Sequence, residues 1–440
     1  MFLPKISSHE RRNHSSSANS NSVTLDLDSE PSVLKPSQAI PEGGLEAWLQ
    51  VLGSWVILAA TWGLAGTFGI YQTYYERELL PNSSASAISW VGSLPGALSF
   101  ILAPISGTLY DAGYFRQTLW FGVFLILLGQ FMTSLATTYW QVLLAQGICV
   151  GLGCGLAYVP STAILSQYFH RKRALVIGIA STGAPVVGII FPVIFGRLQP
   201  TLGFGWTTRI IAFILLGLSI IPVGFMHTRI PPSGQIRSLI DTSALRDPVF
   251  CLVMAGSFFV FLTLYIGFFY VQLFAVRNSI GDASFLPYFI TIMNAGSIPG
   301  RVLPSHIADR IGALETQIAV TALSAIMMYG WLGVYNVGGL ITFAFLYGLF
   351  SGGLVGVTPS LIATLSPDPG RLGTRMGMMF FVSGVATLVG LPVAGVILGD
   401  YSEVRWLAMI GYAAGALTLG AIFYTLAWVS TWKLKIQRSV

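Results

Sequence analysis

Twelve apolar stretches of roughly 17–26 residues, each long enough to cross a bilayer, follow one another through this chain of 440 residues. In the first half they run over 48–71, 88–109, 118–136, 141–166, 174–196 and 210–226. In the second they run over 249–274, 285–307, 318–334, 338–361, 376–399 and 406–428. Only 9% of the residues are charged and 54% are hydrophobic, against about 25% charged in a soluble domain. Such a chain cannot cover its surface with polar groups, so lipid must be its solvent. The pattern predicts an all-α membrane protein of twelve transmembrane helices.

The basic residues are distributed by side. With both termini inside, seventeen Lys and Arg fall in the cytosolic loops and tails, five fall outside (Arg77, Arg197, Arg209, Arg277 and Arg405), and Arg301 completes the 23. This asymmetry is the positive-inside pattern, and it accounts for the net charge of +6 without nucleic acid as a partner. It also puts Asn82, in the sequon Asn82-Ser83-Ser84, on the outer face as a glycosylation candidate. The Ser-rich residues 1–46 read as a disordered cytosolic tail. A plasma membrane location is expected, with the vacuolar membrane as the alternative.

Two halves are legible. Gly155-Leu156 and Pro160-Ser161 match Gly353-Leu354 and Pro359-Ser360. Arg173, Ser181 and Gly188 find counterparts 202 positions on, in Arg375, Ser383 and Gly390. Asp111 and Asp309, 198 apart, each close an even-numbered helix before a Gly-containing turn. Six helices duplicated into six is the parallel repeat of transporters whose site lies between the halves. The expected division is 47–226 for the first half, 227–247 for a cytosolic linker, 248–430 for the second half and 431–440 for a short tail.

Arg301 is the one formally charged residue deep inside an expected span, whereas the seventeen acids occupy span ends, loops and tails. A lone cation in hydrocarbon costs about 2.5–3.5 kcal/mol on insertion scales. Its planar fork of donors suits a carboxylate, so an organic anion is the expected cargo. Snorkelling to the interface or bonding backbone carbonyls is the structural alternative. Asn294, two turns earlier, extends the same helix face. Tyr265, Gln272, Tyr71 and Tyr158 are further candidates for a substrate-binding lining, and together they would imply a cargo larger and more aromatic than lactate. No phosphate-binding loop, metal-spaced His/Cys set or paired carboxylates lie in the spans, so neither an ATP-driven pump, a cofactor nor an enzyme is expected.

The loop Gly107-Thr-Leu-Tyr-Asp111-Ala-Gly113-Tyr-Phe-Arg116, repeated as Gly300-Arg301 through Ala308-Asp309-Arg310-Ile311-Gly312, resembles the signature of the major facilitator superfamily. That resemblance implies a gate in which Asp111, Arg116, Asp309 and Arg310 latch the inner face. Pro41-Glu42-Gly43-Gly44-Leu45-Glu46-Ala47-Trp48 and Tyr168-Phe169-His170-Arg171-Lys172-Arg173-Ala174-Leu175, the latter followed by Gly178, Ala180 and Gly183, are similar to the paired signatures of the monocarboxylate transporter family, in its fungal style. It implies a secondary transporter, acting as a monomer by alternating access, whose eighth-helix arginine, here Arg301, binds the substrate carboxylate. Two departures bear on protons as a coupling ion. Ser297 stands where animal carriers place an aspartate, and 64–70 holds only neutral residues where they use a lysine. His306 is the remaining titratable candidate. A transporter-like sensor that binds a small metabolite without moving it is the alternative function.

Overall fold

The computed structural model describes residues 42–83, 85–229, 239–281, 286, 288–366, 368–399 and 402–439. They are helical throughout, with no strand among them. Nine helical runs are long and apolar enough to cross a membrane. In chain order α1 is Leu45–Tyr74, α2 Trp90–Asp111, α3 Phe115–Thr133 and α4 Tyr139–Tyr168. A single run, Arg173–Phe225, contains both α5 (173–202) and α6 (204–225), because Gly203 reverses the chain at φ 74°. α7 is Pro248–Arg277, α8 Tyr288–Ile311, α9 Ala313–Gly330, α10 Val337–Thr364, α11 Leu372–Leu398 and α12 Glu403–Ser439. α8 and α9 are not among the nine apolar runs. α8 carries Arg301, His306, Asp309 and Arg310, and with it and α9 the helices number twelve among the described residues.

Helix starts follow local chemistry. Asp247 caps α7 by accepting from the Val249 amide, with Pro248 in the first turn where no amide bond is lost. Thr138 and Gln141 form a capping box at α4, and Asn336 caps α10 through the Gly339 amide at 2.7 Å. Gly113 (φ 95°) and Gly312 (φ 115°) supply the left-handed turns after Asp111 and Asp309, a conformation that disfavours any residue with a Cβ.

Helices approach one another through small residues, as packing in lipid requires. The backbones of Gly296 and Gly300 in α8 lie against the carbonyls of Phe345 and Leu349 in α10, and Gly348 lies against Met293. With that face of α8 turned to α10, its neighbouring face meets α5. Gly178 packs on the Arg301 carbonyl and on Ser305, and Gly188 faces the Asn294 amide.

Several expectations are corrected. The tail was expected to extend to residue 46, but the described part from 42 is ordered, while residues 1–41 lie outside the described residues. Glu42 accepts from the amides of His170 (2.9 Å) and Arg171 (2.6 Å), and helix α1 begins at Leu45. The two segments similar to monocarboxylate-type signatures therefore dock on each other. Glu46 also meets His227 at 2.9 Å. α6 begins six residues before Ile210, so Arg209 sits inside it. The side chain reaches back over the Trp206 ring (5.1 Å) and to Ser134 (3.2 Å), which keeps its charge at the helix end. Of the expected linker, 230–238 lie outside the described residues, and Thr242–Leu245 form a single helical turn. α12 continues through the expected tail.

Candidate functional site

At one end of the bundle, here called the gate end, each half holds the other by a helix start. Asp111, at the end of α2, accepts from the amides of Gly373 (2.9 Å) and Thr374 (2.8 Å) and from the Thr374 hydroxyl (2.8 Å). Asp309, near the end of α8, accepts from the amides of Ala174 and Leu175, both at 2.8 Å. In both cases the amides are the second and third of their helix, which have no partner within it, and the positive end of the helix dipole favours the carboxylate. Arg173 adds a bond to Thr364 Oγ1 at 2.7 Å. The gate end is closed.

These bonds reset the repeat. Gly373 and Thr374 stand 199 positions beyond Ala174 and Leu175, not the 202 of the Arg173–Arg375 pairing. Gly377 packs on the Ala103 carbonyl as Gly178 packs on that of Arg301, again 199 apart. Arg173 opens α5, whereas Arg375 is the fourth residue of α11 and has a different task. Arg375 is buried, donates from Nε to Asp241 at 2.9 Å and from Nη1 to the Leu365 carbonyl at 2.6 Å. Arg371 joins Asp241 at 3.0 Å. Arg375, in the first turn of α11 and just before its expected span, is thus an arginine enclosed by protein with its own counter-ion, whereas Arg301 lies within its span. Burial would raise the Asp241 carboxyl pKa, but hydrogen bonds from Ser243 and Arg375 and the Arg375 charge outweigh it, holding it down to about 2.

The other two expected gate residues are not in the gate. Arg116 is exposed and lies 5.4 Å over the Trp120 ring. Arg310 is exposed as well. Each cation rests where water or headgroups can solvate it. Asn82 is exposed, and Ser84 of its sequon lies outside the described residues.

Midway along the bundle, rings from both halves converge. Trp62 of α1 stacks on Tyr265 of α7 (6.2 Å, 6°) and meets Phe100 of α2 (4.7 Å) and Tyr158 of α4 (5.9 Å). Phe380 of α11 closes the group against Tyr158 (5.1 Å) and Phe100 (5.6 Å). A π-turn at Ala59–Gly63 sets the local path of α1 at Trp62, an irregularity often found at functional sites. α7 breaks at Leu264–Tyr265, where the Leu264 carbonyl accepts from Tyr347 at 2.7 Å.

Arg301 borders this group, close enough for its charge to act on the Tyr158 and Tyr265 phenols. It donates from Nη1 to the Ser181 carbonyl of α5 at 2.7 Å and from Nε to Ser297 Oγ at 3.3 Å. No carboxylate pairs with it among the described residues. Ser297 therefore offers a neutral acceptor at the position where animal carriers place an acid.

Of the six expected lining residues, Arg301, Tyr158 and Tyr265 come together, and Asn294 lies on the same α8–α5 contact, donating to the Ile290 carbonyl at 3.1 Å. Gln272 is half-buried two turns beyond Tyr265 on α7. Tyr71 is not in this group. It is fully buried, accepts from Gln130 at 3.0 Å and packs on Phe195 and Phe204, inside the first half. Its aromatic bulk is spent on joining α1, α3, α5 and α6. Trp62, Phe100, Phe380 and Ser181 were missed. Pro185, four residues after Ser181, was the legible signal for the last of these.

Residues 45–338 match the family model described as Major Facilitator Superfamily. The chain is 37% identical over 381 residues to "MFS-type transporter dbaD" of Emericella nidulans, covering 87% of this chain and 85% of that one. It is 35% identical to "Aspyridones efflux protein apdF" of the same fungus, covering 88% and 78%. With "Agnestins efflux protein AgnL12" of Paecilomyces divaricatus it shares 34%, covering 89% and 88%. Among solved structures, the human organic anion transporter MFSD10 (TM-score 0.65, 14% identity, 88% and 99% covered) has the same fold. So does the E. coli fucose:proton symporter FucP (0.65, 16%, 86% and 98%). The chain belongs to the Major Facilitator Superfamily and is a multi-pass membrane transporter.

Proposed function

We propose that this transporter exports a carboxylate-bearing aromatic metabolite by alternating access, in the manner of the fungal monocarboxylate-type branch. The observation that carries the reading is Arg301: a cation at the contact of two halves, bonded to a carbonyl and a hydroxyl, and near Tyr158 and Tyr265, on which Trp62 packs. A planar acid fits both features, its carboxylate on the guanidinium fork and its ring on the indole and phenols. The efflux names of two relatives favour export of a secondary metabolite. The halves, 47–226 and 248–430, rock about this centre while Asp111 and Asp309 release and recapture their helix starts. Both termini face the cytosol, the gate end with them, and the plasma membrane is the expected location. With Ser297 beside Arg301, proton coupling through a neighbouring acid is not part of the mechanism.

The test is transport into proteoliposomes of benzoate and of its uncharged relative benzyl alcohol. Arg301→Ala should cut benzoate transport by roughly 10- to 100-fold, the worth of a charge-assisted bond, at unchanged protein in the membrane. Arg301→Lys should restore little, because a point charge lacks the fork. Wild-type benzoate transport in Arg301→Ala would refute the anion role.

A further inference from the structure

Pro185 stands four residues after Ser181 in α5. In a regular helix the amide of residue 185 would donate to the carbonyl of residue 181, and proline has no amide hydrogen to give. The helix register slips there. α5 is interrupted at Thr182, between Arg173–Ser181 and the run that begins at Gly183, and the Thr182 amide bonds back to Ile179. The Thr182 hydroxyl is held by the indole of Trp55 at 3.0 Å. The carbonyl of Ser181 is left open toward α8, and Arg301 Nη1 occupies it at 2.7 Å. This bond crosses from one half to the other. It lies at a close approach, since Gly178, one turn earlier, packs on the Arg301 carbonyl.

We infer that Pro185 creates a latch. By freeing the Ser181 carbonyl it supplies Arg301 with an internal partner when the centre holds no anion, and that bond keeps the gate end closed. A guanidinium half-buried within a span needs acceptors, and a substrate carboxylate is a stronger one than a carbonyl. An anion at Arg301, as proposed above, takes the arginine from the carbonyl and unlocks the gate, so in export the latch forms once the anion has left on the far side. The anion clause rests on the proposed function, whereas the latch stands without a substrate.

The experiment uses full-length protein in membranes, with cysteines at 173 and 364, whose native side chains bond across the closed gate at 2.7 Å. The native cysteines are replaced. The readout is the yield of a short bifunctional cross-linker, first without ligand. Pro185→Ala restores the amide hydrogen, so the Ser181 carbonyl returns to its own helix. The ratio of closed to open gate should fall about tenfold, the worth of one bond to a charged donor. Arg301→Ala should lower it equally, and the double variant should fall no further than either single one. Pro185→Gly, which restores the amide while keeping backbone freedom, guards against a folding failure of Pro185→Ala. Unchanged cross-linking in Pro185→Ala and Pro185→Gly, or additive loss in the double variant, would overturn the latch. Benzoate is then added to the parent protein. If it lowers cross-linking there but not in Arg301→Ala, the carboxylate displaces the carbonyl. If the proline variants open the gate while benzoate has no effect, the latch holds and the anion reading falls.

Discussion

Replacing Asp111 by Asn keeps the shape of the side chain and removes its charge, at a site where the structure allows the loss to be sized. The carboxylate is buried and accepts three hydrogen bonds from the first turn of α11, at 2.8–2.9 Å. Bonds to a charged partner contribute about 1.5–3 kcal/mol each on deletion, and a partly buried charge at a helix terminus up to about 2 kcal/mol. These terms overlap, because one carboxylate supplies both. Asn retains one acceptor oxygen and turns an N–H toward amides that also donate. A net loss of about 3 kcal/mol follows, which shifts the closed-to-open ratio of the gate roughly a hundredfold. Asp309 accepts two such bonds and is only half-buried, so Asp309→Asn should cost less, about 1.5 kcal/mol or roughly tenfold. Spin labels on cysteines at Arg116 and Arg310 read the outcome. Both positions are exposed, one in each half, and neither side chain is part of the gate. With the three native cysteines replaced, pulsed dipolar distances should show a minor open population in the parent, a larger one in Asp309→Asn and a dominant one in Asp111→Asn. Distances unchanged in Asp111→Asn, or a larger opening in Asp309→Asn, would refute the ranking by bond count and burial.

Two further outcomes are expected. The Asp241 carboxyl, titrating at about 2 in the folded protein, lies below its unfolded value near 4. It therefore contributes about 2 kcal/mol that is fully present above pH ~4 and lost as pH falls toward 2. Asp241→Asn, which leaves buried Arg375 without its counter-ion, should lower the unfolding temperature at pH 7 and show a shallower decline between pH 4 and 2 than the parent, measured in detergent. Equal decline in both would remove Asp241 from the account. Gly107→Ala would drive a Cβ into the carbonyl of Gly373, an overpacking of about 1–3 kcal/mol that opposes closure. The spin-label distances should lengthen, and a closed gate in this variant would count against the packing argument.

The fold was legible because lipid imposes a strict rule: every backbone polar group must bond within its own segment. The helices followed from that rule, and the two aspartates at helix ends stood out by their Gly-containing turns, their role coming from the resemblance of the loop. Helix ends were less legible where an arginine lies inside a helix near its terminus, as Arg209 and Arg375 do, since a charge ends an apolar count without ending a helix. Arg375 could not be sized from sequence, because its counter-ion Asp241 lies 134 positions away. Tyr71 and Tyr158 look alike in sequence. One is packed inside a half and the other at the contact between halves, and only the direction of each side chain from its helix distinguishes them. Ser181 carries no chemistry in its side chain that bears on Arg301; its backbone matters because of Pro185.

The repeat shows where the two halves have diverged around Arg301. At the gate the halves hold each other in the same way: an aspartate of each accepts from the second and third amides of the other's helix, although Asp111 takes a third bond and is the more deeply buried, and Gly178 and Gly377 pack on the carbonyls of Arg301 and Ala103. That shared scaffold sets Ala103 as the counterpart of Arg301, 198 residues apart like Asp111 and Asp309. It sets Gly384 as the counterpart of Pro185, 199 apart like Gly178 and Gly377. The second half supplies the cation and the first supplies the freed carbonyl, while the mirrored contact has neither. Gly384 instead packs on the side chain of Phe100, one of the rings around Trp62. One α2–α11 contact thus brings the aromatic surface and one α5–α8 contact brings the charge. The halves have thus diverged at these two positions while keeping their paired helix-start contacts at the gate.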